Sequence, residues 1–515
     1  MPRLIDRNLG QDDLGLWDFG WSIVGYFGLS QLGITQSIDR YVAKYRAAGD
    51  SVALNRSISS VLLFQCFSTA VVLLITASLF AWMPGLFGEK LGENVTSARW
   101  IVVFLGAGVA VTQMLNIFDG ITTGCHRWDI HNGLNSGFYA LSVAMMIGSV
   151  LTGGGVISLA VINFIGISME KVTRMIIAFK ICPELKISLK QAKIGVIREQ
   201  LFFGGKSLIP SLADVFFRQT VNVMIVGGLG VGALAVFSRP LALIKHSGNI
   251  VNKFANVLMP IASSLTSIGK HDELKSFFLK AVSSGAMISV PGIVFLSIFG
   301  GPLLNLWMGK NYADATLMAV LAVGSLAGML QVPIYSMLIG LNKHGTAGVA
   351  KVIGSFISMG LVVVNFKILE LGLVGCAIAI ALPSLIVDGI FMPLYATKNL
   401  SMPMRVFYKE AVFKPLCFNL PLIVFLALVR WVFLDQIYVG LFVGLAGGVL
   451  IGASVYWYWV IPAGLKEKIS LVFSNLLKNI TKVFYQRNAD SLGCSGPCEK
   501  GKKTSNPGRS SHVDH

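Results

Sequence analysis

The sequence predicts an all-α polytopic membrane protein of about thirteen transmembrane helices, arranged as two repeat-related bundles followed by a C-terminal helix pair. Three observations carry that expectation. Hydrophobic residues make up 54% of the 515 positions and charged residues only 13%, whereas a soluble chain carries about 25% charged residues; the mean hydropathy is +0.71, so the excess apolar surface has to face lipid. Lys and Arg alternate from loop to loop instead of spreading evenly. The chain also repeats itself at a spacing of about 220 residues.

A bilayer-crossing helix takes about 20 mostly apolar residues. Such stretches run at 14–36, 59–83, 99–119, 134–152, 155–177, 202–227, 232–264, 281–303, 315–340, 346–366, 371–394, 411–433 and 437–460. The region 202–264 is nearly continuous, and its division rests on the turn Gly227-Gly228-Leu229-Gly230.

The basic segments are 36–58 with Arg40, Lys44, Arg46 and Arg56, 178–201 with Lys180, Lys186, Lys190, Lys193 and Arg198, and 396–414 with Lys398, Arg405, Lys409 and Lys414. The loops at 153–155 and 228–231 carry no Lys or Arg. By the positive-inside rule the basic loops are cytoplasmic. A net charge of +17 distributed in this way reports membrane orientation, and no nucleic-acid partner is expected. With the basic tail inside, thirteen spans put the N-terminus outside. Yet Met1 to Asp13 carries Arg3 and Arg7 with no signal peptide before them, so the expectation is that a first span ending near Arg3 is missing.

Sliding the sequence by 220 residues lays Leu9-Gly10 on Leu229-Gly230, Leu14 on Leu234, Trp17 on Phe237, Gly28 on Gly248, Gly49 on Gly269 and Leu54 on Leu274. Loop markers thus fall in register at both ends of one long helix. With small shifts Gly124 and Arg127 fall on Gly340 and Lys343. The division expected is an N-terminal bundle at 1–178, a basic cytoplasmic linker at 179–201, a C-terminal bundle at 202–396, an extra helix pair at 397–462, and an amphipathic helix with a disordered tail at 463–515. Two bundles related by an axis along the membrane normal are a transporter design, with substrate between the halves.

No enzyme site is visible. Gly205-Lys206-Ser207 imitates the end of a P-loop, but Gln200 stands where the first glycine is required. Five of the seven cysteines (Cys66, Cys125, Cys182, Cys376 and Cys417) lie in or beside apolar spans and read as small packing residues. Cys494 and Cys498 in the tail lack further ligands at metal spacing, so neither metal nor cofactor is expected.

Charges inside the spans are more informative, because each costs about 2.5–3.5 kcal/mol at the bilayer centre on insertion scales and usually faces a cavity or a partner. The stretch 202–227 has Lys206, Asp214 and Arg218; the stretch 232–264 has Arg239, His246, Asn249 and Lys253, which fall within an arc of about 80° at 100° per residue. Lys206, Arg218, Arg239, His246, Asn249 and Lys253 are the candidate substrate-binding residues. Snorkelling of Arg239 and Lys253 to the two interfaces is the competing reading. Asp18, Glu170, Asp214 and Asp388 are candidates for ion coupling; for Glu170 a local ion pair with Lys171 or Arg174 is the alternative.

Leu9-Gly10-Gln11-Asp12-Asp13-Leu14-Gly15-Leu16-Trp17, running on to Arg40-Tyr41-Val42-Ala43-Lys44-Tyr45 and Gly49-Asp50, together with Gly124-Cys125-His126-Arg127-Trp128-Asp129-Ile130, resembles the polysaccharide and O-antigen flippases of the multidrug/oligosaccharidyl-lipid/polysaccharide (MOP) exporter superfamily. Phe203-Gly204 and Leu306-Trp307-Met308-Gly309 extend the resemblance, which covers essentially 3–460. It implies fourteen helices as the usual number, so this chain is one short. It also implies a cavity lined by 14–36, 202–227 and 232–264. The expected function is a flippase in the bacterial inner membrane, C-terminus cytoplasmic, moving an undecaprenyl-pyrophosphate-linked oligosaccharide by alternating access. Its partners would be that lipid-linked oligosaccharide, membrane lipids, and a polysaccharide polymerase and glycosyltransferases. The alternatives are an ion-coupled multidrug exporter of the same superfamily and a non-transporting scaffold for glycan assembly.

Overall fold

A computed structural model describes residues 1–31, 34–198 and 208–460 together with Lys466. Every regular element among them is helical. The chain opens with α1 (Pro2–Leu9), α2 (Gln11–Gly25) and α3 (Ile34–Ala47), then α4 (Ser51–Leu91), α5 (Val95–Gly124), α6 (Trp128–Leu151) and α7 (Val156–Ile181). The second half brings α8 (Leu208–Leu229), α9 (Val231–Ala255), α10 (Leu258–Ser267), α11 (His271–Trp307), α12 (Ala315–Gly340), α13 (His344–Val364), α14 (Gly372–Ile386) and α15 (Met392–Asn399). The short α16 (Met404–Phe407) leads into α17 (Lys414–Val432) and α18 (Ile437–Val455).

Among the described residues nine helical stretches are long and apolar enough to cross a membrane, and one of them, Ser51–Gly124, is two helices joined by a 3-10 turn at Gly92–Asn94. Together with α2–α3, α8 and α9–α10, which are more polar, these helices are consistent with the thirteen predicted stretches. Met1–Gly452 form one compact unit; the second unit starts at Ala453, and its described part is the helical end up to Val460 and Lys466. Apart from Lys466, the amphipathic segment expected near 464–485 and the tail cysteines Cys494 and Cys498 lie outside the described residues.

Two predicted helices are broken. The stretch 14–36 becomes α2, a 3-10 turn at Tyr26–Gln31, and α3, and the stretch 232–264 becomes α9 and α10. The second break has a visible cause: Pro260 has no N–H for the carbonyl of Asn256, and its ring clashes there. Both breaks fall between the Leu-Gly turn and the Gly49 or Gly269 turn of their repeat, though not at equivalent residues.

The repeat is legible in the backbone. Gly10 and Gly230 have φ of 101° and 91°, and Gly49 and Gly269 have φ of 67° and 70°. His126 and Asn342, equivalent under the shift that pairs Gly124 with Gly340, are both left-handed at 58° and 56°, a conformation that non-glycine residues rarely adopt. The packing repeats too. A Cβ on Gly124 would meet Val42 and the carbonyl of Asp39, and one on Gly340 would meet Ala262 and the carbonyl of Met259; these partners are themselves 220 residues apart.

The largest apolar core joins the two halves, with Leu16, Phe19 and Val24 of α2 packed among Ile225, Leu234 and Phe237 of α8 and α9. The final pair attaches separately, where Leu422, Leu426 and Leu441 of α17 and α18 enclose Phe299 of α11. The linker after α7 is stitched to a polar stripe on α4: Asn55 Nδ2 donates to Glu184 O at 2.9 Å and Asn55 Oδ1 accepts from Lys186 N at 2.7 Å. Ser59 and Ser60 accept from the N–H groups of Ser188 and Lys193.

Candidate functional site

The site begins where α2 and α9 cross. Their first turns touch so closely that a Cβ on Gly15 would stand 2.0 Å from Val231 O, and one on Gly232 would stand 2.6 Å from Asp12 Oδ1. Only glycine permits that approach. Gln11 Nε2 donates to Gly232 O at 3.0 Å. Two turns further, Arg239 of α9 reaches across to form an ion pair and hydrogen bond with Asp18 of α2, both side chains largely withdrawn from solvent. Beside them Arg3 Nη1 donates to Leu306 O at 2.7 Å, and Tyr312 Oη donates to Asp6 Oδ1. The bundle end that carries the Leu-Gly turns is therefore shut by polar contacts between the halves.

Beyond the crossing the same side of α9 is open. Lys245, His246, Asn249, Asn252, Lys253 and Asn256 are all exposed, while Ile244, Val251 and Ala255 on the other side are buried. At 100° per residue the six polar side chains span about 120°. A lipid-facing helix would not carry six polar groups over three turns, given the cost of a charge in hydrocarbon, so this exposed face is one that calls for water. Arg239 lies at the edge of the same arc and differs only because α2 covers it.

The neighbouring helices are mixed in character. Tyr26, which closes α2, shares a 2.7 Å hydrogen bond with Thr220 of α8 and stands edge-on to Phe216, and Asn222 Nδ2 donates to Ser22 Oγ at 3.0 Å. Phe19, repeat mate of Arg239, is fully buried against Phe87, so it belongs to the core. Arg218 is exposed on α8. Lys206 lies outside the described residues, and Asp214 is within α8 with its side chain outside them.

Glu170 sits elsewhere, between α5, α6 and α7. Lys171 Nζ is 2.5 Å from Asp119 Oδ2 and 3.3 Å from Glu170 Oε2, and Arg174 Nε is 2.7 Å from both Asp119 Oδ1 and Glu170 Oε1. The Arg174 guanidinium also reaches His131 Nδ1 at 2.5 Å and Asn135 Oδ1 at 2.9 Å. Two acids and two bases cancel, and Arg174 is completely buried. The local ion pair is thus the geometry of Glu170.

Asp388 stands at a π-turn, Val387–Phe391, that interrupts the helix after α14. Its Oδ2 accepts from Ser384 Oγ at 2.8 Å, and its Oδ1 has no partner. Gly328 of α12 comes within Cβ reach of Oδ2. Gln331, three residues on along that face, is 2% exposed with Oε1 equally unpartnered. Lys351 is the nearby cation, but its ammonium sits over the Tyr335 ring, 4.9 Å from the centroid.

The sequence reading missed Lys245, Asn252 and Asn256, although the helical periodicity that grouped His246, Asn249 and Lys253 contained them. It also missed Asp119 and Gln331, which have no signal beyond being polar groups in apolar runs. Among the described residues no cluster of three His, Cys, Asp or Glu side chains could hold a metal ion.

A protein-family model described as "Polysaccharide biosynthesis protein" matches residues 50–317. The "Uncharacterized membrane protein EpsK" of Bacillus subtilis (strain 168) is 21% identical over 426 residues, covering 80% of this chain and 82% of that protein. The "Putative O-antigen transporter" of Shigella flexneri is 20% identical over 400 residues, covering 77% and 92%. Among solved structures, an inward-facing multidrug resistance MATE family transporter of the MOP superfamily superposes with a TM-score of 0.68 at 15% identity, covering 80% of this chain and 94% of that one. The lipid II flippase MurJ in an inward closed conformation gives 0.66 at 13% identity, covering 88% and 95%. Since the family match spans more than half of the chain, and the fold is that of MOP superfamily transporters, the protein belongs to the polysaccharide biosynthesis protein family.

Proposed function

We propose that the protein is a flippase that carries an undecaprenyl-pyrophosphate-linked oligosaccharide across the bacterial inner membrane by alternating access. The observation that carries this reading is the open polar face of α9, where Lys245, His246 and Lys253 present cations or potential cations and Asn249, Asn252 and Asn256 present hydrogen-bonding amides. Pyrophosphate suits the cations, through charge-assisted hydrogen bonds. The sugars suit the amides, and the polyprenyl tail stays in the lipid. A cationic face does not suit an exporter of cationic drugs.

In this reading the basic loops and the C-terminus are cytoplasmic, so the cavity faces the leaflet on which the glycan is assembled. The bundles at 1–178 and 202–396 rock against each other, while the pair at 397–462 rides on the second. The Asp18–Arg239 pair holds the outer end shut. Closing the basic end over the substrate brings the pyrophosphate up α9 toward Arg239, about 21 Å of helix above Lys253. Arg239 then exchanges Asp18 for phosphate, and the outer end opens. An anion leaving the cell also descends the membrane potential, worth about 2.3 kcal/mol per charge per 100 mV. The unpartnered Oδ1 of Asp388 is where a coupling cation would bind, while Glu170 serves the structure of its bundle. The polymerase and glycosyltransferases are partners in sequence of reaction.

Depletion of the protein tests the function. Lipid-linked oligosaccharide should accumulate on the inner leaflet, detected by protection from an impermeant periodate or lectin probe; unchanged leaflet distribution would overturn the flippase reading.

A further inference from the structure

The turn that leads into α17 has one side fastened to the second bundle and one side free. Phe407 and Ala411 are buried, with Phe407 packed on Phe278 of α11 at a centroid distance of 5.8 Å. Tyr408 Oη donates to Gly389 O at 2.7 Å. Between these anchors the chain makes a π-helical turn at Tyr408–Phe413, a rare geometry that is frequent at functional sites. On the free side Met404, Arg405, Tyr408, Lys409 and Phe413 line a groove of about 460 Å³.

The lining divides by chemistry. Arg405 and Lys409 are exposed cations four residues apart, hence neighbours on one helix face. The carboxylate beside them, Glu410, is taken by Lys414 at 3.1 Å, and among the described residues neither Arg405 nor Lys409 makes an ion pair. Two positive charges are left over. Met404, Tyr408 and Phe413 supply the apolar part of the groove, and from Phe413 an exposed stripe continues along α17 through Leu420, Val424, Leu428 and Trp431 at helical spacing. Cations, groove and apolar stripe follow one another in the order of a phosphate headgroup and its acyl chains. Cations that only snorkel to an interface need no groove between themselves and the apolar stripe.

We propose that this groove binds an anionic phospholipid from the leaflet at the basic end, with its phosphate between Arg405 and Lys409 and an acyl chain along Phe413 and the exposed stripe of α17. The guanidinium offers a fork to two phosphate oxygens, and the ammonium adds a point charge. The chain's own amphipathic stretch at 464–485 does not suit the groove, because it carries Lys466, Lys468, Lys478 and Lys482 and like charges repel. A zwitterionic phospholipid brings a cation of its own toward Arg405 and Lys409, so the match is to a headgroup with net negative charge.

The test uses the full chain, purified in a mild detergent and mixed with dioleoylphosphatidylglycerol, dioleoylphosphatidylcholine or undecaprenyl phosphate. Lipid retained per protein is read by native mass spectrometry. Phosphatidylglycerol should be held about tenfold more tightly than phosphatidylcholine, and glycerol phosphate, which has a headgroup but no chains, should not displace it. In the double variant Arg405→Gln, Lys409→Gln that preference should vanish. The control Lys343→Gln, Lys398→Gln takes the same charge from two other exposed lysines and should leave the preference intact. Equal loss in the two double variants would reduce the effect to diffuse attraction and overturn the proposal. Equal retention of the two phospholipids, displacement by glycerol phosphate, or tighter retention of undecaprenyl phosphate would overturn it as well.

Discussion

The two bundles handle charge in opposite ways. In the first, Asp119, Glu170, Lys171 and Arg174 close on one another until no net charge is left. In the second, Lys245 and Lys253 stand on an exposed face, with no ion pair to them among the described residues. Both sets lie in helices counted among the predicted spans, and in sequence they look alike. The difference shows that an ionisable residue in a membrane helix is not a functional sign until its partners are known. A closed set works as a structural clamp; an open one asks for water and a ligand.

The comparison breaks most sharply at Arg174. Arg174→Met leaves two buried carboxylates facing one lysine, and breaking a buried pair costs about 3–5 kcal/mol; folded protein in detergent should drop severely in yield and melting temperature. Normal stability would mean that the cluster is no clamp. On the other side, Lys253→Glu should leave melting unchanged and cut transport about ten- to a hundredfold, the loss of one charged hydrogen bond of about 1.5–3 kcal/mol. Lys253→Arg should keep most of it. If Lys253→Glu instead lowers abundance and leaves transport per molecule intact, the side chain is an interfacial anchor.

A smaller effect is expected where the bundles meet. Asp18→Asn removes the charge that holds Arg239, so spin labels at the exposed Glu93 and Asn311, near the Leu-Gly end of each bundle, should show a new population at longer distance. An unchanged distance distribution would remove the pair from the gate. The smallest effect belongs to Asp388→Asn, which keeps the Ser384 hydrogen bond but not the cation-binding charge. Melting should not change, and transport should lose only its dependence on an imposed proton or sodium gradient, read in vesicles with and without that gradient.

Much of the fold was legible because it depends on length and composition. The stretch predicted at 315–340 is α12 residue for residue, and the repeat markers Gly10, Gly49, Gly230 and Gly269 announced turns whose backbone only glycine adopts freely. The site was legible in part. Periodicity assigns residues to one face of α9, but not what lies over that face, so Arg239 looked equivalent to Lys253 although α2 covers the first and not the second. The same limit left Glu170 between two readings, since Asp119, the second acid needed to balance Lys171 and Arg174, lies on another helix, 51 residues away in the chain. Pro260 could have announced the break between α9 and α10; the break after α2 has only scattered glycines to mark it.

The central claim is that α9 turns an open, wet, polar face toward the basic end of the molecule. Single cysteines at His246, Asn249 and Lys253, in a background without other cysteines and in sealed vesicles of known orientation, measure it directly with a charged, membrane-impermeant thiol reagent. All three should react from the side of the basic loops only, and far faster than cysteines at the buried Ile244 or the exposed, apolar Phe442 of α18. Labelling at His246, Asn249 and Lys253 as slow as at Phe442 would place this face against lipid or protein and contradict the account.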